Sequence, residues 1–212
     1  EEGYRQMISR IADINLCPTK LSAKNLKREK TKGEIYVVGN TSLDNILSHK
    51  NKTTYGNKVL ITLHRNENLK IINDWLNEIN QFAKKNQELE FIFPAHPNPI
   101  IVEASKKLTN IKICKPLQHN ELINILKDTR FVITDSGGIQ EEACFLNKKI
   151  IVCRKTTERP EGIKTGHLII CHDPKKFSRI VEIVKSKYKI KKKCPYGDGK
   201  SSEKVILLLE RY

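Results

Sequence analysis

Phe131-Val132-Ile133-Thr134-Asp135-Ser136-Gly137-Gly138-Ile139-Gln140-Glu141-Glu142 is the stretch whose reading decides the fold of this chain. An apolar, β-branched run stops at a polar trio, two glycines follow, and an amphipathic segment continues to Leu146. The pattern reads as a buried strand turning directly into a helix. Two glycines let the main chain approach a phosphate closely, and the free N–H groups of a helix's first turn point at it. Open parallel sheets bind ligands at the carboxyl ends of their strands, where this turn falls. Neither the dinucleotide fingerprint nor the P-loop pattern fits. Glu142 lies six residues beyond Ser136, roughly 9 Å along a helix. That is about the span from a diphosphate to the ribose hydroxyls, which a carboxylate can accept. The competing reading is a plain glycine-rich turn with a solvent-facing Glu142.

Outward from this turn, short β-branched runs alternate with helix-like stretches. Lys58 to His64 predicts a strand, and Ile71 to Lys84 an amphipathic helix. Then come a strand at Glu90 to Pro94, a helix at Ile100 to Leu108, a strand at Ile111 to Cys114 and a helix at Asn120 to Lys127. Beyond the central turn, Ile150 to Cys153 and His167 to Cys171 predict strands, and Pro174 to Lys185 a helix. This alternation implies an α/β fold, a doubly wound parallel sheet with helices on both faces. The near-continuous apolar strands agree with burial on both sides. Ahead of that unit, Tyr4 to Ile11, Asp13 to Cys17, Ser22 to Arg28 and Glu34 to Val38 read as helix, strand, helix and strand. Residues 40–57 are polar and crowded with Asn, Ser, Lys and Thr, and are expected to form a linker. Pro195 to Gly199 predicts a turn, and Ser201 or Ser202 would cap a last helix running to Tyr212.

The 212 residues are 38% hydrophobic with a single Trp, as in an ordinary globular chain. No stretch approaches the roughly 18 apolar residues of a membrane span. The opening Glu1-Glu2-Gly3 is neither a start methionine nor a signal peptide, so the chain is expected to be part of a longer protein. Six cysteines without a C-x-x-C pair suggest structural thiols in a reducing cytoplasm, with neither a disulfide framework nor a metal site. A net charge of +15 raises nucleic acid as a partner, but the lysines are dispersed. The one dense run, Lys189 to Lys193, carries no interleaved aromatics. A solvated basic surface is the preferred reading, and nucleic acid is not expected as a partner.

Three further segments fall at predicted strand ends. Thr156 to Glu161 follows a strand, and Arg159 could grip a phosphate in bidentate fashion; an ordinary charged loop is the alternative. His64-Arg65-Asn66-Glu67-Asn68 closes the first strand of the unit, which makes His64 an acid/base candidate on the same edge. Phe93 to Pro99 repeats the arrangement, and His96 could bind an anion or brace its turn.

Together these segments resemble the non-hydrolysing UDP-N-acetylglucosamine 2-epimerases. The matching signatures are Leu63-His64-Arg65 with Glu67-Asn68, Pro94-Ala95-His96, Thr134 to Glu142, Thr156 to Glu161 and Pro195 to Gly199, in order. The resemblance implies the C-terminal half of a glycosyltransferase-B type fold, with two Rossmann-like domains. Residues 1–39 would be the tail of the N-terminal domain, 40–57 a linker, 58–193 the UDP-binding Rossmann-like domain, and 194–212 a turn and helix returning to the first domain. It also implies interconversion of UDP-GlcNAc and UDP-ManNAc by elimination and re-addition of UDP, with no metal and no cofactor. Ser136, Gly137, Gly138 and Arg159 match the family's phosphate and nucleotide contacts, Glu142 its ribose ligand, and Leu117 and Leu122 further UDP-binding positions. Glu1 and His64 match catalytic positions, and Arg65 and His96 an activating allosteric site. The expected partners are a UDP-amino sugar and the missing N-terminal domain, in cis or as a separate chain, within a cytoplasmic homodimer serving polysaccharide biosynthesis. Half of that catalytic machinery would lie outside this chain, so the isolated chain is expected to be inactive.

Departures from the family pattern are Gly3-Tyr4-Arg5 after the two acidic residues, Leu122 where several members have phenylalanine, and Pro97 where leucine is common. The rival readings are a hydrolysing epimerase or glycosyltransferase of the same fold, and a non-catalytic UDP-sugar-binding module.

Overall fold

A computed structural model describes residues 2–50, 53–186, 190 and 192–212. The chain divides into two units, residues 1–48 with 194–212, and residues 49–193.

The smaller unit opens with α1 (Glu2–Ile11), β1 (Ile14–Cys17), α2 (Lys20–Arg28) and β2 (Glu34–Val37). The two strands pair in parallel, Ile14 opposite Glu34 through Cys17 opposite Val37. Helix α2 starts two residues before the expected Ser22, because the Thr19 hydroxyl accepts from the Ser22 amide at 3.1 Å and caps it. Residues 40–57, expected as a linker, are partly regular. Thr41–Ile46 is a 3₁₀ helix, followed by α3 (Leu47–Lys50). A 3₁₀ turn stacks positions i and i+3, and this one buries Leu43 and Ile46 on one face. Two apolar side chains at the right spacing thus outweigh the polar composition.

The larger unit continues with β3 (Lys58–Thr62), α4 (Asn66–Leu69), α5 (Ile72–Lys85), β4 (Glu90–Pro94) and α6 (Pro99–Ser105). Next come β5 (Lys112–Cys114), α7 (His119–Leu126), β6 (Thr129–Thr134) and α8 (Gly137–Phe145). The unit closes with β7 (Lys149–Val152), α9 (Glu161–Thr165), β8 (Leu168–Ile170) and α10 (Phe177–Ser186). All six strands are parallel, in the order β5-β4-β3-β6-β7-β8. This is a Rossmann-like doubly wound sheet of the kind found in the C-terminal half of a glycosyltransferase-B type fold. Its strand order reverses direction between β3 and β6, which makes that crevice the topological switch point.

Side chains alternate across the strands. Val59, Ile61, Phe131, Ile133 and Ile151 join one core with Trp75, Leu76, Ile79 and Phe82 of α5 and Phe177, Val181 and Val184 of α10. Phe82 meets Phe91 and Phe177 edge-on at 6.0 and 5.9 Å. On the opposite face, α7 packs on β3 and β6, and α8 on β6 and β7. Charged and titratable side chains are also fully buried, among them Lys148, Asp135 and His167. Lys148 donates to the carbonyls of Thr129, at 2.8 Å, and Thr54, and burial pulls its ammonium down to about 8. The six cysteines are free thiols.

Back in the smaller unit, α11 (Ser201–Leu209) ends the chain. Its cap is not Ser201 or Ser202, as expected, but the Asp44 carboxylate, which accepts from the Ser201 and Ser202 amides at 3.0 and 2.6 Å. Among the described residues no helix is long and apolar enough to cross a membrane, and no cluster of His, Cys, Asp or Glu could hold a metal ion.

His167 makes stability depend on acidity. It is fully buried beside β8, its Nδ1 meets the Thr165 hydroxyl at 2.8 Å, and burial pushes it down to about 4. The folded state holds this ring neutral, whereas the unfolded chain protonates it below about 6.5. Its contribution is therefore present above pH 6.5 and is lost as the pH falls toward 4, by up to roughly 3 kcal/mol. Urea unfolding at pH 7 and pH 4.5 should show a smaller acid loss in His167→Gln than in the parent.

Candidate functional site

The site assembles at the switch point around a buried carboxylate. Strands β3 and β6 run in register to Thr62 opposite Thr134, whose hydroxyls meet at 2.6 Å. The next residue of the β6 side, Asp135, is fully buried. Its carboxylate accepts from the His64 amide at 3.0 Å, the Arg65 amide at 2.9 Å and the Asn68 side chain at 2.9 Å. Asn68 also donates to the Cys153 carbonyl at 2.8 Å, which adds the end of β7. Three strand ends are thereby held together by one acidic group and one amide.

Ser136, Gly137 and Gly138 follow as the start of α8. By helix geometry the first amides of α8 lack intrahelical acceptors and carry the positive end of the helix dipole. The Ser136 amide is satisfied locally by the Thr134 hydroxyl at 2.9 Å. Arg65 and Arg159 converge here from different loops. Their Nη2 atoms lie 3.9 and 3.8 Å from the point where a Cβ on Gly137 would sit. Arg159 is aimed by its loop, where its amide donates to the Thr157 hydroxyl at 3.0 Å and that hydroxyl reaches Gln140 of α8 at 2.7 Å. The Arg159 guanidinium also pairs with Glu141. An incoming anion would take over a guanidinium already facing a carboxylate.

His64 stands on the rim with its ring 5.6 Å from that of His96, nearly parallel at 16°. Its Nδ1 lies 3.6 Å from Asp135. Burial lowers its pKa below the usual histidine range; Asp135 opposes this, and His96 and Arg65 reinforce it. A neutral imidazole can accept a proton, which suits a base. His96 also braces its own turn, accepting from the Asn98 amide at 3.2 Å. A hollow of about 380 Å³ opens between His64, Arg65, Asn66, Glu67 and Arg154.

Glu142 points away from bulk solvent, at 8% exposure. It is held by His119 at the start of α7, Nε2 to Oε1 2.8 Å. Leu122 sits on the same helix and Leu117 in the loop before it, both half-buried. Glu1 lies outside the described residues. Thus His64, Arg65, His96, Ser136, Gly137, Gly138 and Arg159 gather on one sheet edge, while Glu142 is oriented from α7. Sequence reasoning missed His119, Glu141 and Arg154. Glu141 lay unassigned within the Thr134 to Glu142 signature, and Arg154 lies just before the charged segment Thr156 to Glu161.

The two glycines are there for access. Neither has a left-handed φ, a Cβ on Gly137 would make only ordinary contacts, and one on Gly138 would meet open space. Gly138→Ala should therefore fold, with α8 gaining up to about 1 kcal/mol of helix propensity. If an anion sits over the first amides of α8, the added methyl would crowd it. On that condition, titration calorimetry with uridine diphosphate should show binding weakened by about ten-fold or more, while thermal unfolding stays at or above that of the parent.

Comparisons with known proteins place this geometry. The family model described as UDP-N-acetylglucosamine 2-epimerase matches residues 1–210. A UDP-N-acetylglucosamine 2-epimerase of Salmonella borreze is 36% identical, covering 97% of this chain and 63% of its own length. One from Campylobacter jejuni is 34% identical, covering 99% and 63%. An S. aureus structure, MnaA with UDP, superposes with a TM-score of 0.88 at 30% identity, covering 100% of this chain and 64% of that one. The Neisseria meningitidis UDP-GlcNAc 2-epimerase bound to UDP-GlcNAc gives 0.86 at 26% identity, covering 100% and 65%. The chain thus spans a little under two thirds of the length of these relatives. With the motif-bearing loops gathered at one switch point and the family model matched almost end to end, the chain belongs to the UDP-N-acetylglucosamine 2-epimerase family.

Proposed function

We propose that this chain forms the nucleotide-binding part of an isomerase that interconverts UDP-GlcNAc and UDP-ManNAc. The observation that carries the reading is the convergence of Arg65 and Arg159 on Gly137 at the start of α8, beside a histidine whose pKa is lowered. Gly137 and Gly138 bind the diphosphate through main-chain amides with Ser136 beside them at the start of α8, and Arg159 stabilises it as it leaves. Glu142, oriented by His119, takes the ribose hydroxyls, and Leu117 and Leu122 lie beside the base.

In this reaction a base removes the C2 proton while the C1–O bond to UDP breaks, giving the 2-acetamidoglucal and free UDP within the site. The C2 proton is only weakly acidic, so stabilising charge on the departing diphosphate carries much of the rate. UDP then returns to C1 and a proton to the other face of C2. His64 is a candidate proton carrier on this chain, together with Glu1. His96 is the candidate for an activating second nucleotide-sugar site, with Arg65 shared between that site and the diphosphate.

On the same reading residues 1–39 belong to the N-terminal domain, 58–193 form the UDP-binding domain, and 194–212 return to the first. Support comes from the smaller unit taken alone. It has an open, mostly apolar groove of about 940 Å³ lined by Tyr4, Ile8, Leu16 and Leu26 among others, and Met7 and Ile11 are exposed nearby. A preceding polypeptide, in cis or as a separate chain, would cover that surface. The whole protein is read as a cytoplasmic homodimer, and light scattering on the full-length protein tests the second part.

Two measurements test the function. Proton NMR of the full-length protein with UDP-GlcNAc in D₂O should show UDP-ManNAc and deuterium at C2. Release of free ManNAc instead would indicate a hydrolysing enzyme, and neither product would sink the assignment. Calorimetry on the isolated chain should show weak UDP binding without turnover. Arg159→Ala should lower that affinity about 10- to 100-fold, the range expected for a charge-assisted hydrogen bond.

A further inference from the structure

One cation near the site is engaged by two carboxylates of the same chain. Arg154 follows β7 by two residues, and its side chain is only 11% exposed. Its Nε donates to Glu67 at 2.5 Å, and its two terminal nitrogens hold Glu158 at 2.6 and 2.9 Å. Glu67 comes two residues after Arg65, and Glu158 immediately precedes Arg159. Each carboxylate that Arg154 grips is therefore next to, or one residue removed from, a guanidinium that faces Gly137.

We propose that Arg154 is a positioning residue for the diphosphate site, clamping the loop after β3 to the loop after β7 so that Arg65 and Arg159 are held at Gly137 before the ligand arrives. The proposal rests on the reading that this site takes a nucleoside diphosphate. Its geometry differs from that of an ordinary surface pair, which contributes little because both partners move in water. Here the guanidinium is nearly buried and grips one carboxylate in a two-pronged fashion while reaching a second on another loop. A planar fork can do this and an ammonium cannot. The Glu158 carboxyl is held down at about 2, first by its hydrogen bond to Arg154. Fixing both loops in advance removes an ordering cost from binding.

The test uses the full-length protein, with UDP and uridine titrated by calorimetry into the parent, Arg154→Met and the double variant Glu67→Gln/Glu158→Gln. Arg154→Met should bind UDP about ten-fold more weakly or worse, with uridine within about two-fold of the parent. The double variant separates positioning from charge. It opens the clamp while making the surroundings more positive, so positioning expects weaker UDP binding and simple electrostatics expects tighter binding. Both carboxylates are exposed, so this variant should fold even where Arg154→Met does not. Unchanged UDP affinity in Arg154→Met, equal losses for UDP and uridine, or tighter binding in the double variant would each overturn the proposal. A parent that fails to bind UDP overturns the nucleotide reading along with it, whereas a binding parent with an indifferent Arg154→Met overturns this inference alone.

Discussion

Everything at the ligand edge of the larger unit depends on where the Asp135 carboxylate finds its donors. A fully buried acidic group is tolerable only when it is hydrogen-bonded on all sides. Here the donors are the His64 and Arg65 amides and the Asn68 side chain. Hydrogen bonds to a charged group contribute about 1.5–3 kcal/mol each, and losing one leaves the charge exposed to an apolar interior. That penalty fixes the path of the chain after β3 relative to the end of β6. Asn68 passes the constraint on to Cys153, and so to the loop carrying Arg154 and Arg159. The anchor lies at the end of β6 and its donors all come from the chain after β3, so it spans the switch point.

The periodicity of the sequence was enough to show the strands and the longer helices, because apolar runs of the right length recur at regular spacing, whereas the short helices α3, α4 and α9 and the distant Asp44 cap of α11 carry no such signal. Asp135 could be read only as part of a phosphate turn, since its partners lie about 70 residues away and are mostly main-chain groups without a residue signature. Separations of 23 and 87 residues likewise hid His119 on Glu142 and Arg154 on Glu67. Residues Thr41–Ile46 were obscured for a different reason, because polar neighbours masked two apolar side chains three apart. Lys148 was hidden by its type, since a lysine is rarely expected inside unless carbonyls receive it. What the motifs did convey was the set of residues that would share an edge, and here it was the resemblance that turned a generic diphosphate turn into a uridine nucleotide site.

The charge of the molecule and the charge of the site turn out to be separate matters. The net +15 is spread over dispersed lysines, whereas the cations of the ligand edge are largely engaged by carboxylates of the same chain. Glu141 faces Arg159, Glu67 and Glu158 flank Arg154, and Glu142 holds His119. A diphosphate entering such a place exchanges with internal acids rather than meeting bare positive charge. This favours a ligand that fits the geometry over any polyanion that merely carries charge. The lowered His64 fits the same scheme, since desolvation and the nearby Arg65 and His96 outweigh the attraction of Asp135.

Asp135 holds positions 64 and 65 by their amides, which every residue except proline possesses. The imidazole and guanidinium at those positions are consequently spared most of the framework duty, apart from the longer 3.6 Å approach of the His64 ring. Such an arrangement gives a lineage latitude, since the chemistry displayed at the rim can be exchanged by point substitution while the rim itself stays in place. A scaffold of this kind can change its substrate without first having to relearn how to fold.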